Sequence, residues 1–295
     1  MTLFRVQEAH IHTYQTQEPM VASAAVERAL GYPYPRPSSS FLFRPGRGAR
    51  PFPCREWPGI EGLPDFLAHL RADGSPTNCA AWTPVLAIGS NASPQQLERK
   101  FPAAFFPNAI IPAIKGRLRD FDVAYAPLLS SYGSVTATLA HSPACTVEVF
   151  VTYLEASLLE RMHATEGGYD LVMLDDVELE LGNGEVLTRV AQYNHQRGTL
   201  CVPVGEGTPW PVALAEIPAT GRAFPARTQR EMQEVVHGFV GAEGEFGDPY
   251  VLENLEDDAV RKARVEALLE AARPFQYEKA VVQKTLGSMF DKQVK

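Results

Sequence analysis

Residues 84–106 have the sequence PVLAIGSNASPQQLERKFPAAFF, which predicts a strand, a glycine turn and the start of a helix in succession. Its first five residues are apolar and predict a short strand. Gly89 begins a tight turn, and Ser93 and Pro94 are typical of a helix N-cap and of the first helical position. Gln96 follows Ser93 at the spacing of a capping box. Backbone N–H groups at such a helix start lack intrahelical partners, so they are suited to bind a carboxylate or stabilise an oxyanion.

The next part of the chain predicts more strands and one helix. The predicted strands are 117–126, 134–142 and 146–154, and a hairpin spans 170–193 around Gly182-Asn183-Gly184. The predicted helix, EASLLERMHATE (155–166), ends at the pair Gly167–Gly168. Glu166 would face the negative end of the helix dipole, and burial would further favour its uncharged form. A carboxyl group in that setting suits a general base.

Two stretches together resemble the gamma-glutamylcyclotransferase-like family. The first is 86–106, which contains the Gly-Ser-Asn turn, and the second is VTATLAHSPACTVEVFVTYLEASLLERMHATEGGYD (135–170). The second contains an Ala-containing strand, a Val-containing strand, a Leu-rich helix and a Glu-Gly pair followed by Tyr. The hairpin ending at Tyr193 continues the same order. The resemblance covers about 110 residues of the 295.

The resemblance implies an α+β fold, in which a small mixed β-barrel or curved sheet with flanking helices has the Gly-Ser-Asn turn and the acid at one open end. It implies that Gly89, Ser90 and Asn91 line the glutamyl pocket, that Glu166 is the general acid/base, and that Tyr169 lies near the pocket wall. The implied reaction cyclises a small-molecule gamma-glutamyl amide to 5-oxoproline and releases an amine or peptide. It requires no cofactor, metal or covalent intermediate.

The chain departs from the family at two positions. Ile88 replaces the aromatic residue before Gly-Ser-Asn, and His163 replaces an Asp three residues before the acid. On a helix His163 and Glu166 share a face, so His163 either pairs with the carboxylate or faces solvent. Two alternatives follow: a non-catalytic binding or regulatory protein that retains the glutamyl pocket, and an amide hydrolase or acyl transferase that uses the same pocket.

Composition and the family resemblance together predict three segments. Residues 1–80 form a Pro/Gly-rich N-terminal arm or partial subdomain, residues 81–205 form the cyclotransferase-like core, and residues 206–295 form a helical C-terminal extension. Within the arm only 63–70 predicts a helix. Periodic apolar residues predict helices at 228–240, 253–273 and 276–290 of the extension.

Charge and composition exclude several classes of protein. The formal net charge is −8, and no basic cluster suggests a nucleic-acid partner. No 18 apolar residues follow one another, so no membrane-spanning helix is predicted. The N-terminus lacks the pattern of a secretory signal, and the four cysteines are widely spaced, as expected for reduced thiols. These features predict a cytoplasmic protein, whose oligomeric state stays open.

Three other candidate sites have simpler interpretations. His10 and His12 form a possible metal pair, but a structural zinc site needs four ligands and no third is evident. Cys145 with His141 spans Pro143 between two predicted strands, which we interpret as a turn with a half-buried thiol. His195 follows the predicted hairpin and is interpreted as a loop residue, with the pocket mouth as the alternative.

The acidic run 253–258 is followed by three basic residues, Arg261, Lys262 and Arg264. Acid before base is the charge order that the helix dipole prefers. We therefore interpret these charged residues as stabilising a helix.

Overall fold

The structure is a computed structural model that describes residues 18–70, 82–203 and 208–288. The described residues form seven helices and fourteen strands. The helices are α1 (Glu18–Leu30), α2 (Gly59–Leu70), α3 (Pro94–Lys100), α4 (Ala156–His163), α5 (Gln229–Phe239), α6 (Asp248–Glu256) and α7 (Asp258–Glu270). The strands are β1 (Phe41–Arg44), β2 (Gly48–Pro51), β3 (Thr83–Ala87), β4 (Ile111–Leu129), β5 (Val135–Leu154), β6 (Tyr169–Leu181), β7 (Val186–His195), β8 (Thr199–Val202), β9 (Trp210–Pro211), β10 (Ala213–Leu214), β11 (Ala219–Thr220), β12 (Ala226–Arg227), β13 (Ala272–Arg273) and β14 (Ala280–Thr285).

Five of these strands form a closed barrel. Strand β3 pairs antiparallel with β5 and parallel with β7. Strand β7 pairs with β6, β6 pairs with β4, and β4 returns to β5, all antiparallel. The predicted α+β fold, a small mixed barrel with flanking helices, is therefore confirmed.

The remaining elements pack around the barrel. The β1–β2 hairpin extends the sheet beyond β4, and β8, β9 and β13 form a separate small sheet. Large apolar side chains such as Phe121 and Phe150 are almost fully buried, and each contributes about 1.5–3 kcal/mol of transfer free energy. A second apolar cluster joins α1 to α6 through Val26, Ala29 and Val251.

The strands predicted at 134–142 and 146–154 are one continuous strand, β5. The predicted turn at Pro143 is wrong because the chain makes a bulge there instead of reversing. Ala144 has φ +66° and faces a matching irregularity at Asp120, whose φ is +62°. The Asp120 carboxylate accepts a hydrogen bond from the Ala144 N–H at 2.7 Å, which satisfies the bulged backbone.

The helix predicted at 276–290 is also wrong. Residues 280–285 form β14, which pairs antiparallel with Asp170–Leu174 of β6. Strand β4 pairs with β6 only at Leu179–Leu181. Strand β14 therefore pairs with the backbone of a part of β6 that β4 does not reach. The β-branched pair Val281–Val282 fits a strand, whereas the apolar spacing used for the prediction is ambiguous in so short a segment.

The other helix predictions are largely confirmed. The segment predicted at 228–240 is α5, and it begins with a capping box between Thr228 and Glu231. The segment predicted at 253–273 is divided into α6 and α7 at Asp257. The Asp257 carboxylate caps α7 by accepting from the N–H groups of Ala259 and Val260 at 2.8 and 3.0 Å.

Residues 18–70 of the N-terminal segment contain more regular structure than their composition suggests, because α1 precedes the predicted helix region and the β1–β2 hairpin joins the barrel sheet. The division at residues 80 and 205 stays a prediction. In the described part of the chain no helix combines the length and apolarity needed to span a membrane.

Candidate active site

The candidate site lies at one end of the barrel. Strand β3 runs parallel to β7, so the two strands end at the same side of the barrel. Strand β6 begins at that side, because Tyr169 pairs with His195 at the end of β7. A cavity of about 340 Å³ opens at this end, near the lower limit of about 300 Å³ for ligand pockets. Its lining includes all five site residues predicted from the sequence: Gly89, Ser90, Asn91, Glu166 and Tyr169.

The Gly89 turn leads from β3 into a 3-10 turn at Ser90–Ala92. A Cβ atom on Gly89 would lie 2.3 Å from the hydroxyl oxygen of Tyr32, so only glycine permits this close approach. The Tyr32 hydroxyl in turn accepts a hydrogen bond from the Ala137 N–H at 2.9 Å. The N-terminal segment thus packs directly on the turn.

Helix α3 follows the turn, with Ser93 at the N-cap and Pro94 at the first helical position, as predicted. The predicted capping box with Gln96 is wrong, because the Ser93 side chain makes no capping hydrogen bond. The Ser93 carbonyl instead accepts the N–H groups of Gln96 and Leu97 at 3.1 and 3.0 Å. Backbone bonds alone start this helix.

Glu166 lies in a turn just beyond α4. Its N–H bonds the His163 carbonyl and its own carbonyl accepts the Tyr169 N–H, both at 3.2 Å. Gly168 has φ +87°, which glycine adopts without strain. The helix therefore ends three residues earlier than predicted. The Glu166 side chain, which is only 11% exposed, lines the cavity from this turn.

Two groups contact the Glu166 carboxylate. Asn91 Nδ2 donates to Oε1 at 2.9 Å, which joins the predicted turn to the predicted acid. The Lys100 ammonium group forms a buried ion pair with the same oxygen. The sequence prediction missed Lys100 because a basic residue at the end of a helix is ordinary.

His163 does not pair with Glu166. Its Nδ1 shares a hydrogen bond with the Tyr193 hydroxyl at 2.8 Å, and the side chain is buried. Burial lowers the pKa of His163, so the ring is neutral at pH 7. The alternative that it faces solvent is also wrong.

Tyrosine side chains form much of the wall near the acid. Burial raises the pKa of Tyr132, Tyr169 and Tyr193, and the Glu166 carboxylate adds to each increase. These phenols are therefore neutral at pH 7. The Tyr169 hydroxyl is oriented by donating to Thr136 Oγ1 at 2.8 Å.

Two lining residues come from outside the predicted core. Tyr32 follows α1, and Arg261 lies on α7. Neither was predicted as a site residue. No local pattern marks Tyr32, and the charge order around Arg261 has a sufficient explanation in the helix dipole.

The other sequence candidates lie apart from the cavity lining. Cys145 is fully buried within β5, and burial raises its pKa to about 12, so it is not the half-buried turn thiol predicted. The His141 ring packs against Phe121 and Tyr277. His195 is a buried strand residue, not a loop residue, and its ring lies 5.3 Å from that of Tyr169.

His10 and His12 lie outside the described residues. Within the described ranges, no three His, Cys, Asp or Glu side chains gather as a metal site.

Comparisons with known proteins give the following. No protein-family model and no curated protein matches the sequence. A solved structure titled gamma-glutamyl cyclotransferase is 15% identical, with a TM-score of 0.32, and the match covers 72% of this chain and 97% of that one. An uncharacterized protein from Homo sapiens is also 15% identical, with a TM-score of 0.31 and coverages of 71% and 96%. The first carries the name of the family that the sequence resembles.

Proposed function

We propose that this protein cyclises a gamma-glutamyl amide to 5-oxoproline and releases the amine. The observation that carries the proposal is the 2.9 Å hydrogen bond from Asn91 to Glu166 inside one small cavity. A buried carboxylate suits the proton shuttle that this reaction needs, and the N–H groups of the adjoining Gly89 turn would polarise the carbonyl.

The proposed reaction is an intramolecular aminolysis. The Glu166 carboxylate takes a proton from the substrate α-ammonium group, and the freed amine attacks the δ-carbonyl carbon. Glu166 then returns its proton to the leaving nitrogen as the bond between that nitrogen and the carbonyl carbon breaks. The ring nitrogen loses its second proton to the released amine, which departs as an ammonium ion, and the carbonyl re-forms as the lactam of 5-oxoproline. Since nucleophile and electrophile share one molecule, the site mainly holds the ring-closing conformer, which lowers a barrier by about 7–11 kcal/mol in favourable cases.

Lys100 has two roles in this proposal. Its ammonium group contacts the Glu166 carboxylate and holds it in place in the cavity. When the substrate ammonium approaches Glu166, Lys100 is free to bind the substrate α-carboxylate. The N–H groups of the Gly89 turn then stabilise the oxyanion that develops at the attacked carbonyl.

The test measures 5-oxoproline released from a panel of gamma-glutamyl compounds by mass spectrometry. We expect release by the wild-type protein and a 10²- to 10⁴-fold lower kcat for Glu166→Gln, the usual contribution of a general acid/base. Glu178→Gln is the matched control, because Glu178 is 60% exposed and pairs with Arg119 instead of lining the cavity. Equal activity of Glu166→Gln and wild type would refute the mechanism, and free glutamate in place of 5-oxoproline would indicate an amide hydrolase.

A non-catalytic binding protein is the second candidate, and the Lys100 ion pair favours it. The Lys100 ammonium group already occupies the carboxylate oxygen that would have to take up the substrate proton. Binding of gamma-glutamyl compounds without turnover, in wild type and in Glu166→Gln alike, would support this candidate.

A further inference from the structure

A buried histidine that the proposed reaction does not use lies behind the cavity wall. His163 is at the end of α4, and its Nδ1 atom is 2.8 Å from the hydroxyl oxygen of Tyr193. Tyr193 lines the cavity, whereas His163 does not. The two rings meet edge to face, with their centroids 5.8 Å apart. Any influence of His163 on a ligand therefore passes through Tyr193.

The other ring nitrogen of His163 faces a carboxylate. Nε2 lies 3.8 Å from Oε1 of Glu160, three residues earlier on α4. Glu160 is 69% exposed and also pairs with Lys284 of β14, whose ammonium group lies 3.2 Å from Oε2. A nearby carboxylate favours a ring nitrogen that carries a proton over one that presents a lone pair. Glu160 therefore selects the tautomer that has its proton on Nε2.

This tautomer fixes the direction of the hydrogen bond to Tyr193. With the proton on Nε2, Nδ1 is an acceptor, so the Tyr193 hydroxyl donates to it. The hydroxyl proton is then directed at His163, and the phenol oxygen is left with lone pairs for a ligand. We infer that His163 is a positioning residue that makes Tyr193 a hydrogen-bond acceptor in the cavity. The inference rests on the proposed function for its ligand, whose amine supplies the donor.

An acceptor on Tyr193 suits the amine that the proposed reaction frees. Burial and then the Glu166 carboxylate raise the pKa of Tyr193, so the two side chains lie within electrostatic reach of each other. After Glu166 has taken one proton from the α-ammonium group, the amine keeps two N–H bonds and one lone pair. Binding one N–H group on Tyr193 restricts the rotation of the amine, which favours the orientation needed for attack.

Protonation of His163 would reverse the hydrogen bond. The cationic ring carries a proton on both nitrogens, so Nδ1 would donate to Tyr193 and the hydroxyl proton would have to turn elsewhere. Burial lowers the pKa of His163 from 6.5, and Lys284 lowers it further, while Glu160 and Glu166 oppose the change. The reversal is therefore expected below pH 6.5, and the acceptor is present at pH 7.

The first test is independent of any reaction. Nitrogen NMR of the protein with isotope-labelled histidine distinguishes a bare ring nitrogen from a protonated one. We expect His163 at pH 7 to have a bare Nδ1 and a protonated Nε2, with its signals assigned by their loss in His163→Asn. A protonated Nδ1 would overturn the inference, whatever the activity of the protein.

The second test measures kcat/KM at pH 7 for release of 5-oxoproline from gamma-glutamylalanine. His163→Phe removes the acceptor and should lower kcat/KM by roughly 3- to 10-fold, the contribution of one hydrogen bond. Tyr193→Phe should lower it by a similar factor. The double variant should be no worse than Tyr193→Phe alone, because His163 acts through Tyr193. Additive losses would count against the inference.

His163→Asn tests the charge of the ring. The asparagine carbonyl is an acceptor that does not titrate. Activity at pH 7 should therefore be largely retained, and the loss of kcat/KM that His163 causes below pH 6.5 should be absent. A pH profile identical to that of the wild type would contradict the inference. If circular dichroism shows that His163→Phe does not fold, the NMR result and His163→Asn decide.

His141→Phe is the matched control. It replaces an exposed histidine that packs against Phe121 and Tyr277 and does not line the cavity. This variant should keep the kcat/KM and the pH profile of the wild type. The same change in pH profile for His141→Phe and His163→Asn would show that the effect does not belong to His163.

Calorimetry separates this inference from the proposed reaction. If the wild type binds gamma-glutamylalanine but releases no 5-oxoproline, the cyclisation fails. Equal losses of affinity in His163→Phe and Tyr193→Phe, with no further loss in the double variant, would still support the role of His163. Release of 5-oxoproline by a protein whose His163 has a protonated Nδ1 would leave the cyclisation standing and overturn the inference.

Discussion

Two buried ion pairs in this protein differ in how completely their atoms are satisfied. Arg222 and Asp122 form a two-pronged pair, with Nε to Oδ2 at 2.8 Å and NH2 to Oδ1 at 3.0 Å. Asp122 also accepts the Val123 N–H, and Arg222 also donates to the Ile217 carbonyl. The Asp122 side chain is completely buried.

The pair in the cavity is built differently. Lys100 and Asn91 both contact Oε1 of Glu166, so neither engages the other carboxylate oxygen. Lysine is a point charge on a flexible stem, whereas arginine is a rigid fork. The Asp122 pair thus uses both carboxylate oxygens, whereas both contacts on Glu166 fall on one oxygen, as the proposed exchange of Lys100 for a ligand requires.

The largest expected effect on stability comes from breaking the ion pair between Asp122 and Arg222. Asp122→Asn should lower the free energy of unfolding by about 3–5 kcal/mol, because it leaves Arg222 without its counter-charge in a largely buried setting. Asp175→Asn is the control, since its pair with Arg189 is 42% and 64% exposed and should contribute at most about 1 kcal/mol. Urea denaturation measures both. Similar small losses in the two variants would contradict the structural role of the Asp122 pair.

Replacing the cavity pair should have a smaller effect that is reversible by a second substitution. Glu166→Leu should cost about 3 kcal/mol, because the Lys100 ammonium remains buried without a partner. Adding Lys100→Met should bring the unfolding free energy back to within about 1 kcal/mol of the wild type, since an apolar pair of similar volume needs no counter-charge. Urea denaturation of the wild type, Glu166→Leu and the double variant measures these differences in unfolding free energy. A double variant as unstable as Glu166→Leu would show that the pair is held for the fold.

The smallest effect concerns a buried ionisable ring that stays neutral. Burial lowers the pKa of His195 from 6.5 to about 4, with a minor contribution from Arg197. Between these values the unfolded chain binds a proton that the folded chain does not, so stability falls as the pH falls from 6.5 to 4. At pH 5 the loss is about 2 kcal/mol.

The measurement for His195 is unfolding at pH 7 and pH 5. His195→Gln should lose about 2 kcal/mol less than the wild type between the two values, because glutamine does not titrate. Parallel pH profiles for the two proteins would mean that His195 is not the group responsible.

The sequence was sufficient for the parts of the site that lie on local patterns. The Gly89 turn and the Glu166 turn are each marked by glycines near a helix boundary, and the resemblance joined them in one pocket. The strands of the barrel follow from apolar runs. The sequence predicts a turn where the chain makes the bulge at Ala144, because Pro143 is compatible with both a turn and a bulge.

The sequence gives no sign that Lys100, Tyr32 and Arg261 line the same cavity as Glu166. Each reaches the cavity through tertiary contacts between distant segments, and no local spacing records such contacts. Strand β14 was missed for a related reason, since its structure depends on the open part of β6 more than on its own residues.

The pairing of β14 also has a consequence for biosynthesis. The N–H of Gly168 donates to the Gly287 carbonyl at 2.9 Å, and the N–H of Leu286 donates to the Tyr169 carbonyl at 3.1 Å. The five barrel strands end at residue 195, so the barrel can close while the ribosome is still translating the later helices. The turn that bears Glu166 gains its last backbone bonds only after residue 287 has been made, so this part of the proposed site is completed last.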